Sequence, residues 1–211
     1  MRLVAVLAAA LLSLAAPSFS KDAAPAPDLS RMLALQARFT MFSGCPVAAT
    51  RALTSAHAVD LRPFDRSVPL YGARYQTWDG SAAGRIRPIV VSMEEDIALV
   101  AAEGLTPYPI ATEMPATGEQ LWWVGYDYRK RKDALAPRVF TGRVIRGVAG
   151  VIVIDVMTEE GTSGGCALNA RGEAVGIIDF GLGIGDRDAV TGVVAIFGPW
   201  LDNFRKLEDW R

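Results

Sequence analysis

Apolar residues in this chain occur in short segments rich in valine and isoleucine, and turn-forming residues separate them. Segments of this length and composition are typical of β-strands. They are RIRPIVVSM (85–93), IALVAAE (97–103), QLWWVGY (120–126), RVFTGRVIRGV (138–148), VIVIDVM (151–157), EAVGIIDFG (173–181) and TGVVAIF (191–197). Their spacing predicts an all-β barrel or sandwich.

Helical periodicity occurs only towards the two ends of the chain. The stretch LSRMLALQARF (29–39) shows it, and so does GPWLDNFRKLEDW (198–210). In the second stretch four apolar side chains share one helical face: Trp200, Leu201, Phe204 and Leu207. We therefore expect a helix in each stretch.

The first 20 residues have the pattern of a secretory signal peptide. Arg2 precedes an apolar run from Leu3 to Ala16, and small residues follow with Ser18 and Ser20 before the expected cut. The run is short for a membrane span. Residues 21–30, KDAAPAPDLS, are rich in alanine and proline and read as a tether. We expect an exported protein, periplasmic or extracellular, that stays off the membrane once the signal is removed.

About 180 residues follow the signal and the tether, enough for one compact unit or two small lobes. The stretch PATGEQ (115–120) is a suitable link between two β halves. We therefore divide the chain into an N-terminal β half over 31–114 and a C-terminal half over 115–211.

Charge and metal-ligand content exclude several function classes. The formal net charge is −1, which gives no support to nucleic-acid binding as the main function. The basic run RKRKD (129–133) lies between apolar segments and reads as a solvated hairpin tip. With a single histidine and two distant cysteines, we expect neither a metal centre nor a cofactor.

The two cysteines, Cys45 and Cys166, lie far apart in the sequence. An even number of cysteines in an exported protein favours a disulfide. The alternative is two buried free thiols, since cysteine is among the most buried residue types.

A glycine-rich stretch, GTSGG (161–165), places Ser163 between glycines. Glycine clusters of this kind often mark only a tight turn. If Ser163 is a nucleophile, it needs a base to accept its proton, and the usual base is histidine. His57, in ALTSAHAVD, is the only histidine of the chain and is therefore the candidate base.

A carboxylate must orient that histidine and stabilise its protonated form. Asp96 opens an apolar segment that should run into a core, whereas Glu94 and Glu95 precede it and are expected in solvent. Ser163 also fits the G-x-S-x-G nucleophile elbow, but that fold places its histidine after the serine, and here none follows. The observed order is His57, Asp96, Ser163, the order of the chymotrypsin-type double barrel.

These residues carry a family resemblance. LTSAHAV (53–59), DIALV (96–100) and GTSGG (161–165) resemble the histidine, aspartate and serine motifs of the trypsin-like serine proteases. GEAVGIIDFGLG and TGVVAIFGPWLDNF resemble the family's later strands and C-terminal helix, and the likeness spans roughly residues 38–205. It implies two six-stranded antiparallel β-barrels with a C-terminal α-helix, in a secreted member of bacterial type.

The resemblance also implies the chemistry. Ser163 would attack a peptide carbonyl of a peptide or protein substrate, with His57 as base and Asp96 orienting it. The backbone N–H groups of Gly161 and Ser163 would form the oxyanion hole. Two alternatives stay open: an inactive barrel that binds a peptide or partner in the same cleft, and a serine esterase.

The resemblance places the substrate pocket as well. Met157 and Thr158 would lie at its base, and its walls would be Asp179, Phe180, Gly181 and Gly192. Met157 favours a hydrophobic or small side chain before the cut, unless Asp179 or Glu159 turns into the pocket and attracts a basic one.

The chain departs from the family in two respects. Thr162 replaces the aspartate that pairs with a newly cut N-terminus in digestive relatives, and no Ile-Val-Gly-Gly start is present. Activation through that salt bridge is therefore not expected. Ala58 replaces the cysteine that commonly follows the histidine, so a Cys45–Cys166 disulfide would instead tie the histidine-bearing half to the serine-bearing half.

Overall fold

The computed structural model describes residues 25–37, 40–59, 73–126, 137–148, 150–182 and 190–196. The predicted signal peptide (1–20), the basic run (129–133) and the predicted C-terminal helix (198–210) lie outside the described residues. Residues 25–29 of the predicted tether have no regular structure.

Within the described residues the chain forms β-strands and one short helix. In chain order they are β1 Leu33–Ala37, β2 Thr40–Ala48, β3 Arg51–Thr54, α1 Ala56–Val59, β4 Arg74–Thr77, β5 Ala83–Arg85, β6 Arg87–Ser92, β7 Ile97–Ala101, β8 Gln120–Tyr126, β9 Pro137–Val148, β10 Val151–Ile154, β11 Cys166–Leu168, β12 Ala174–Leu182 and β13 Val190–Ala195. Each of the seven segments predicted as strands overlaps an observed strand, so the mostly β prediction is confirmed. The described part of the chain has no helix of the length and apolarity needed to cross a bilayer.

Strands β1 to β7 form one antiparallel sheet in the order β5-β4-β1-β2-β3-β7-β6, called here the first sheet. The helix predicted over 29–39 is wrong, because residues 33–37 form β1. Leu33 and Leu35 pack into the core of the first sheet, while Met32 and Ala34 pack into a second core beside it. A strand buried on both faces is apolar throughout, so its pattern does not distinguish it from a buried helix.

The first sheet is curled rather than closed by hydrogen bonds, which corrects the prediction of two closed barrels. Its edge strands β5 and β6 are consecutive in the chain and are joined by Ile86. The Ile86 N–H donates to the Ala73 carbonyl and its side chain is buried in the core. The chain therefore turns inward at Ile86. The edge strands β5 and β6 are joined there by the main chain and not by β-sheet hydrogen bonds.

Strands β8 to β13 close into a six-stranded antiparallel barrel in the order β10-β13-β12-β11-β8-β9, called here the barrel. This confirms the predicted six-stranded barrel for the C-terminal half. Its interior is filled by large apolar side chains including Leu121, Trp123, Ile152 and Ile154, all fully buried. Burial of side chains of this size contributes about 2 kcal/mol each.

A third apolar core, called here the interface core, lies between the first sheet and the barrel. Leu53 and Ile97 enter it from the first sheet, and Trp122 and Leu168 enter it from the barrel. The first sheet and the barrel therefore pack against each other through this core. Their packing fixes the positions of the loops next to it relative to one another.

Candidate active site

His57 lies in the single turn of α1, which begins directly after β3 and Ser55. The Ala56 N–H donates to the Asp96 carbonyl at 3.1 Å, and the Ser55 hydroxyl donates to a carbonyl of the barrel strand β12 at 3.3 Å. The Phe42 ring meets the imidazole edge-on, with centroids 5.6 Å apart. Two hydrogen bonds therefore anchor the turn that carries His57, and the Phe42 ring contacts the imidazole itself.

Asp96 ends the turn between β6 and β7 and binds His57 with both carboxylate oxygens. Its Oδ2 lies 2.5 Å from His57 Nδ1, and its Oδ1 accepts the His57 backbone N–H at 2.8 Å. The two side chains are each 26% exposed, while Glu94 and Glu95 are exposed to solvent. Burial raises the pKa of Asp96, but hydrogen bonds from His57 and Asp179 outweigh it and hold the pKa below its ordinary value. Asp96 is therefore ionised and positioned to orient the imidazole.

Ser163 lies in the loop between β10 and β11, where Gly161 and Gly164 have φ of +90° and +85°. The Ser163 carbonyl accepts the Ser43 N–H from β2 at 2.9 Å, so the loop rests against the first sheet. The Ser163 hydroxyl donates to the Asp179 carbonyl at 3.5 Å, and within the described residues no hydrogen bond joins it to His57. Asp179 therefore adjoins both Ser163 and the His57–Asp96 pair.

The two predicted oxyanion-hole donors are backbone N–H groups of the serine loop. Among the described residues, the backbone N–H groups of Gly161 and Ser163 donate to no hydrogen bond. The neighbouring Thr162 and Gly165 N–H groups, by contrast, bond within the loop to the carbonyls of Glu159 and Thr162. An available pair of N–H groups on a serine loop is what stabilisation of an oxyanion requires.

Ser43, which was not predicted from the sequence as a site residue, connects the serine loop to the first sheet. It is fully buried, and its hydroxyl lies 2.7 Å from the Gly161 carbonyl and 3.1 Å from the Val124 carbonyl. Its own carbonyl accepts the Thr54 hydroxyl at 2.8 Å. The only sign in the sequence is a small polar residue within an otherwise apolar strand, TMFSGCPVA.

The Asp179 side chain lies beside Asp96 rather than facing away from it. One ring nitrogen of His57 and one carboxyl oxygen each of Asp96 and Asp179 all lie within 4.8 Å of one another. Burial, together with the hydrogen bond and negative charge of Asp96, raises the pKa of Asp179 to about 8. The Asp96 oxygens also accept hydrogen bonds from the backbone N–H and the ring Nδ1 of His57. The pocket wall at Asp179 stays a prediction, and the Asp179 carbonyl lies 3.5 Å from the Ser163 hydroxyl.

The other predicted pocket residues lie directly after β10 and on the neighbouring strands β12 and β13. The Met157 side chain is 50% exposed, Thr158 is partly buried, and Glu159 forms an ion pair with Arg138. Backbone pairing brings Phe180 and Gly192 opposite each other on β12 and β13, with Gly181 next to them. The side chain of Phe180 lies outside the described residues.

The predicted Cys45–Cys166 disulfide is confirmed. The sulfur atoms are 2.07 Å apart and the Cα atoms 4.8 Å apart, within ordinary disulfide geometry. The bond joins β2 of the first sheet to β11 of the barrel and lies in the interface core. It therefore links the histidine-bearing and serine-bearing parts covalently.

A closed six-stranded barrel beside a curled sheet, with histidine and aspartate from the sheet and serine from a barrel loop, defines the chymotrypsin-like fold of the serine peptidases. The model of the trypsin-like peptidase domain matches residues 42–177, and the chain belongs to this family. Comparison with curated protein sequences gives no match.

Solved structures give the same fold. The serine endoprotease from Yersinia pestis is 16% identical with a TM-score of 0.66, and the match covers 86% of this chain and 62% of that one. A Glu endopeptidase is 16% identical with a TM-score of 0.70 and coverage of 85% and 92%. The active form of the Rv3671c protease from M. tuberculosis is 18% identical with a TM-score of 0.63 and coverage of 79% and 76%. This chain thus spans less than two thirds of the Yersinia pestis endoprotease.

Proposed function

We propose that this protein is an exported trypsin-like serine endopeptidase that cleaves peptide bonds through Ser163, His57 and Asp96. The observation that carries the proposal is the His57–Asp96 pair, joined at 2.5 Å through Nδ1 and braced by the His57 backbone N–H. Family membership supports peptidase chemistry at this pair. Export rests on the signal-like pattern of residues 1–20.

The mechanism follows from which atoms are engaged. Because Asp96 holds His57 Nδ1, the other ring nitrogen, Nε2, is the one left to accept the Ser163 proton. Ser163 Oγ attacks the substrate carbonyl, and the N–H groups of Gly161 and Ser163 receive the oxyanion. Protonated His57 then gives its proton to the leaving amine, which leaves an acyl-enzyme that water hydrolyses.

The Ser163 hydroxyl must first leave the Asp179 carbonyl. At 3.5 Å that hydrogen bond is long and therefore weak. Rotation of the serine side chain to another staggered position redirects the hydroxyl without moving the backbone. Substrate binding can therefore complete the Ser163–His57 contact at low cost, as is common in sites that tighten on binding.

We further propose that the residue before the cut is apolar or small. A basic residue would need a free acid in the pocket. The Asp179 carboxyl is engaged with Asp96, and Glu159 is paired with Arg138. Met157 is then the side chain at the predicted base that favours apolar contact.

Cleavage of a peptide library tests the proposal. We expect the purified oxidised protein to generate new peptide ends, detected by mass spectrometry, mostly after apolar or small residues. The Ser163→Ala variant is expected to generate none. Hydrolysis of simple aryl esters without peptide cleavage would support the esterase alternative, and the absence of both reactions would support a binding protein.

A further inference from the structure

We propose that Asp179 holds a proton and donates it in a hydrogen bond to Asp96, so that a His57–Asp96–Asp179 chain orients the imidazole. Asp179 is then a positioning residue, acting on the reaction through Asp96. The effect on catalysis rests on the proposed function, whereas the shared proton itself does not.

A bulge in β12 brings Asp179 to this place. The pairing of β12 with β13 shifts register between Ile178 and Phe180, so Asp179 is the extra residue of the strand. A bulge residue leaves the regular alternation of side chains and can be aimed in a new direction. Here the carboxyl lies beside Asp96: one carboxyl oxygen of each aspartate and one ring nitrogen of His57 lie within 4.8 Å of one another.

The two carboxyl groups require a proton between them. An ionised carboxyl group only accepts hydrogen bonds, so two of them in contact are stable when one is protonated and donates to the other. Asp96 accepts two hydrogen bonds from His57, which favours its ionised form. Asp179 Oδ1 is buried and has no hydrogen-bond partner in the described structure, which disfavours a charge there. The proton therefore belongs on Asp179.

The electrostatic surroundings support this assignment. Within the described residues, the titratable groups that face Asp179 are His57 on α1 and Asp96 before β7. Burial and Asp96 raise the pKa of Asp179 to about 8, so the carboxyl is neutral at pH 7. Above about pH 8 it would lose the proton, and Asp96 would then face a second negative charge in place of a donor.

Labelling kinetics test the consequence for Ser163 without knowledge of the substrate. We would measure the second-order rate constant of a fluorophosphonate with Ser163 from pH 6 to 9.5. The proteins are the wild type, Asp179→Ala, Asp179→Asn and the control Asp79→Asn, which alters an exposed acid bonded to the Ser81 N–H.

The wild-type rate is expected to fall several-fold above about pH 8. Asp179→Ala, which lacks the donor, should be slower than the wild type by roughly tenfold at pH 7, as expected for loss of a hydrogen bond to a charged group. Asp179→Asn, whose amide donates at every pH, should recover most of that loss and show no fall above pH 8. Asp79→Asn should follow the wild type. A fall above pH 8 that persists in Asp179→Asn would overturn the inference.

Thermal unfolding in a Ser163→Ala background tests the proton without any activity. Between the ordinary Asp pKa of 3.8 and about 8, folded Asp179 keeps a proton that the unfolded chain has lost. Stability from this group therefore decreases as pH rises through that window. The melting temperature of Asp179→Asn relative to its parent should increase from pH 5 to pH 8. A difference in melting temperature that stays constant with pH would contradict the shared proton. If that difference increases with pH but the fluorophosphonate does not label the wild type, only the proposed function is contradicted.

Discussion

Asp96 satisfies three hydrogen bonds from two consecutive residues, Ala56 and His57, using its carbonyl and both carboxylate oxygens. It does so with φ of +50°, in the left-handed region that aspartate tolerates better than most non-glycine residues. This backbone conformation lets the carbonyl and the carboxylate of Asp96 face the same short segment, Ala56 and His57. An unusual backbone conformation at a site of this kind is a common feature of functional residues.

Asp96→Asn is predicted to lower the fluorophosphonate labelling rate of Ser163 by about 10³- to 10⁴-fold, the size of effect that loss of the triad carboxylate has in serine proteases. The amide can donate to Nδ1 and so favours the wrong tautomer, and it cannot stabilise the protonated imidazole.

Asp155→Asn is the matched control, because Asp155 is exposed and its carboxylate accepts the Arg143 backbone N–H at 2.7 Å. A rate for Asp96→Asn within threefold of this control, in protein with unchanged circular dichroism, would contradict the role of Asp96.

At the residue scale, the sequence predicts the role of a residue whose type is rare in the chain. It does not predict a role that depends on three-dimensional geometry. His57 could be predicted because it is the only histidine, and Asp96 because it opens a buried strand. Asp179 was predicted as a pocket wall, since strand alternation gives no sign of the bulge that aims its carboxyl at Asp96. Ser43 acts through hydrogen bonds to residues more than 80 positions away, which a single sequence does not reveal.

At the scale of elements, the serine loop depends on close backbone approach at Gly161. A Cβ atom added there would lie 2.1 Å from the Tyr126 carbonyl oxygen, far inside van der Waals contact. The backbone would have to move, and the Gly161 N–H would move with it.

Gly161→Ala is therefore predicted to lower the labelling rate by about 10²-fold or more, as loss of one oxyanion-hole donor does. Gly118→Ala is the matched control, since Gly118 has a similar φ of +86° but nothing within 4 Å of an added Cβ. That control should lose about 1 kcal/mol of stability from backbone strain and keep its labelling rate. Equal labelling rates for the two variants would exclude the proposed need for close approach at Gly161.

The apolar pattern of the sequence predicts some of the strands and misses others. Seven strands followed from short apolar segments, because each is bounded by turn residues. β1 was predicted as a helix because both of its faces are buried, and the open first sheet was missed because the inward turn at Ile86 leaves no mark in the pattern.

At the scale of the whole molecule, the first sheet and the barrel are joined by a disulfide as well as by the interface core. Cys45 and Cys166 close a loop with a sequence separation of 121 residues. Cross-links over loops of this length stabilise the folded state by up to about 5 kcal/mol, mainly by restricting the unfolded chain.

Reduction of this bond is predicted to lower the melting temperature by about 5 to 15 °C, from the expected stabilisation and the usual dependence of melting temperature on free energy. Labelling of Ser163 should slow as well, because Cys166 follows the serine loop directly. Alkylation and mass measurement would confirm that both thiols are free. As a control, the Cys45→Ala/Cys166→Ala variant should melt at the same temperature with and without reductant. If the fully reduced wild type melts at the same temperature as the oxidised protein, the disulfide does not stabilise the fold.

The central claim, that Ser163 is a nucleophile activated by the His57–Asp96 pair, is tested most directly by locating a fluorophosphonate adduct. The oxidised wild-type protein is predicted to carry one adduct, on the peptide that contains Ser163, and Ser163→Ala and His57→Ala should carry none. Absence of that adduct from correctly folded, oxidised wild-type protein would contradict the claim.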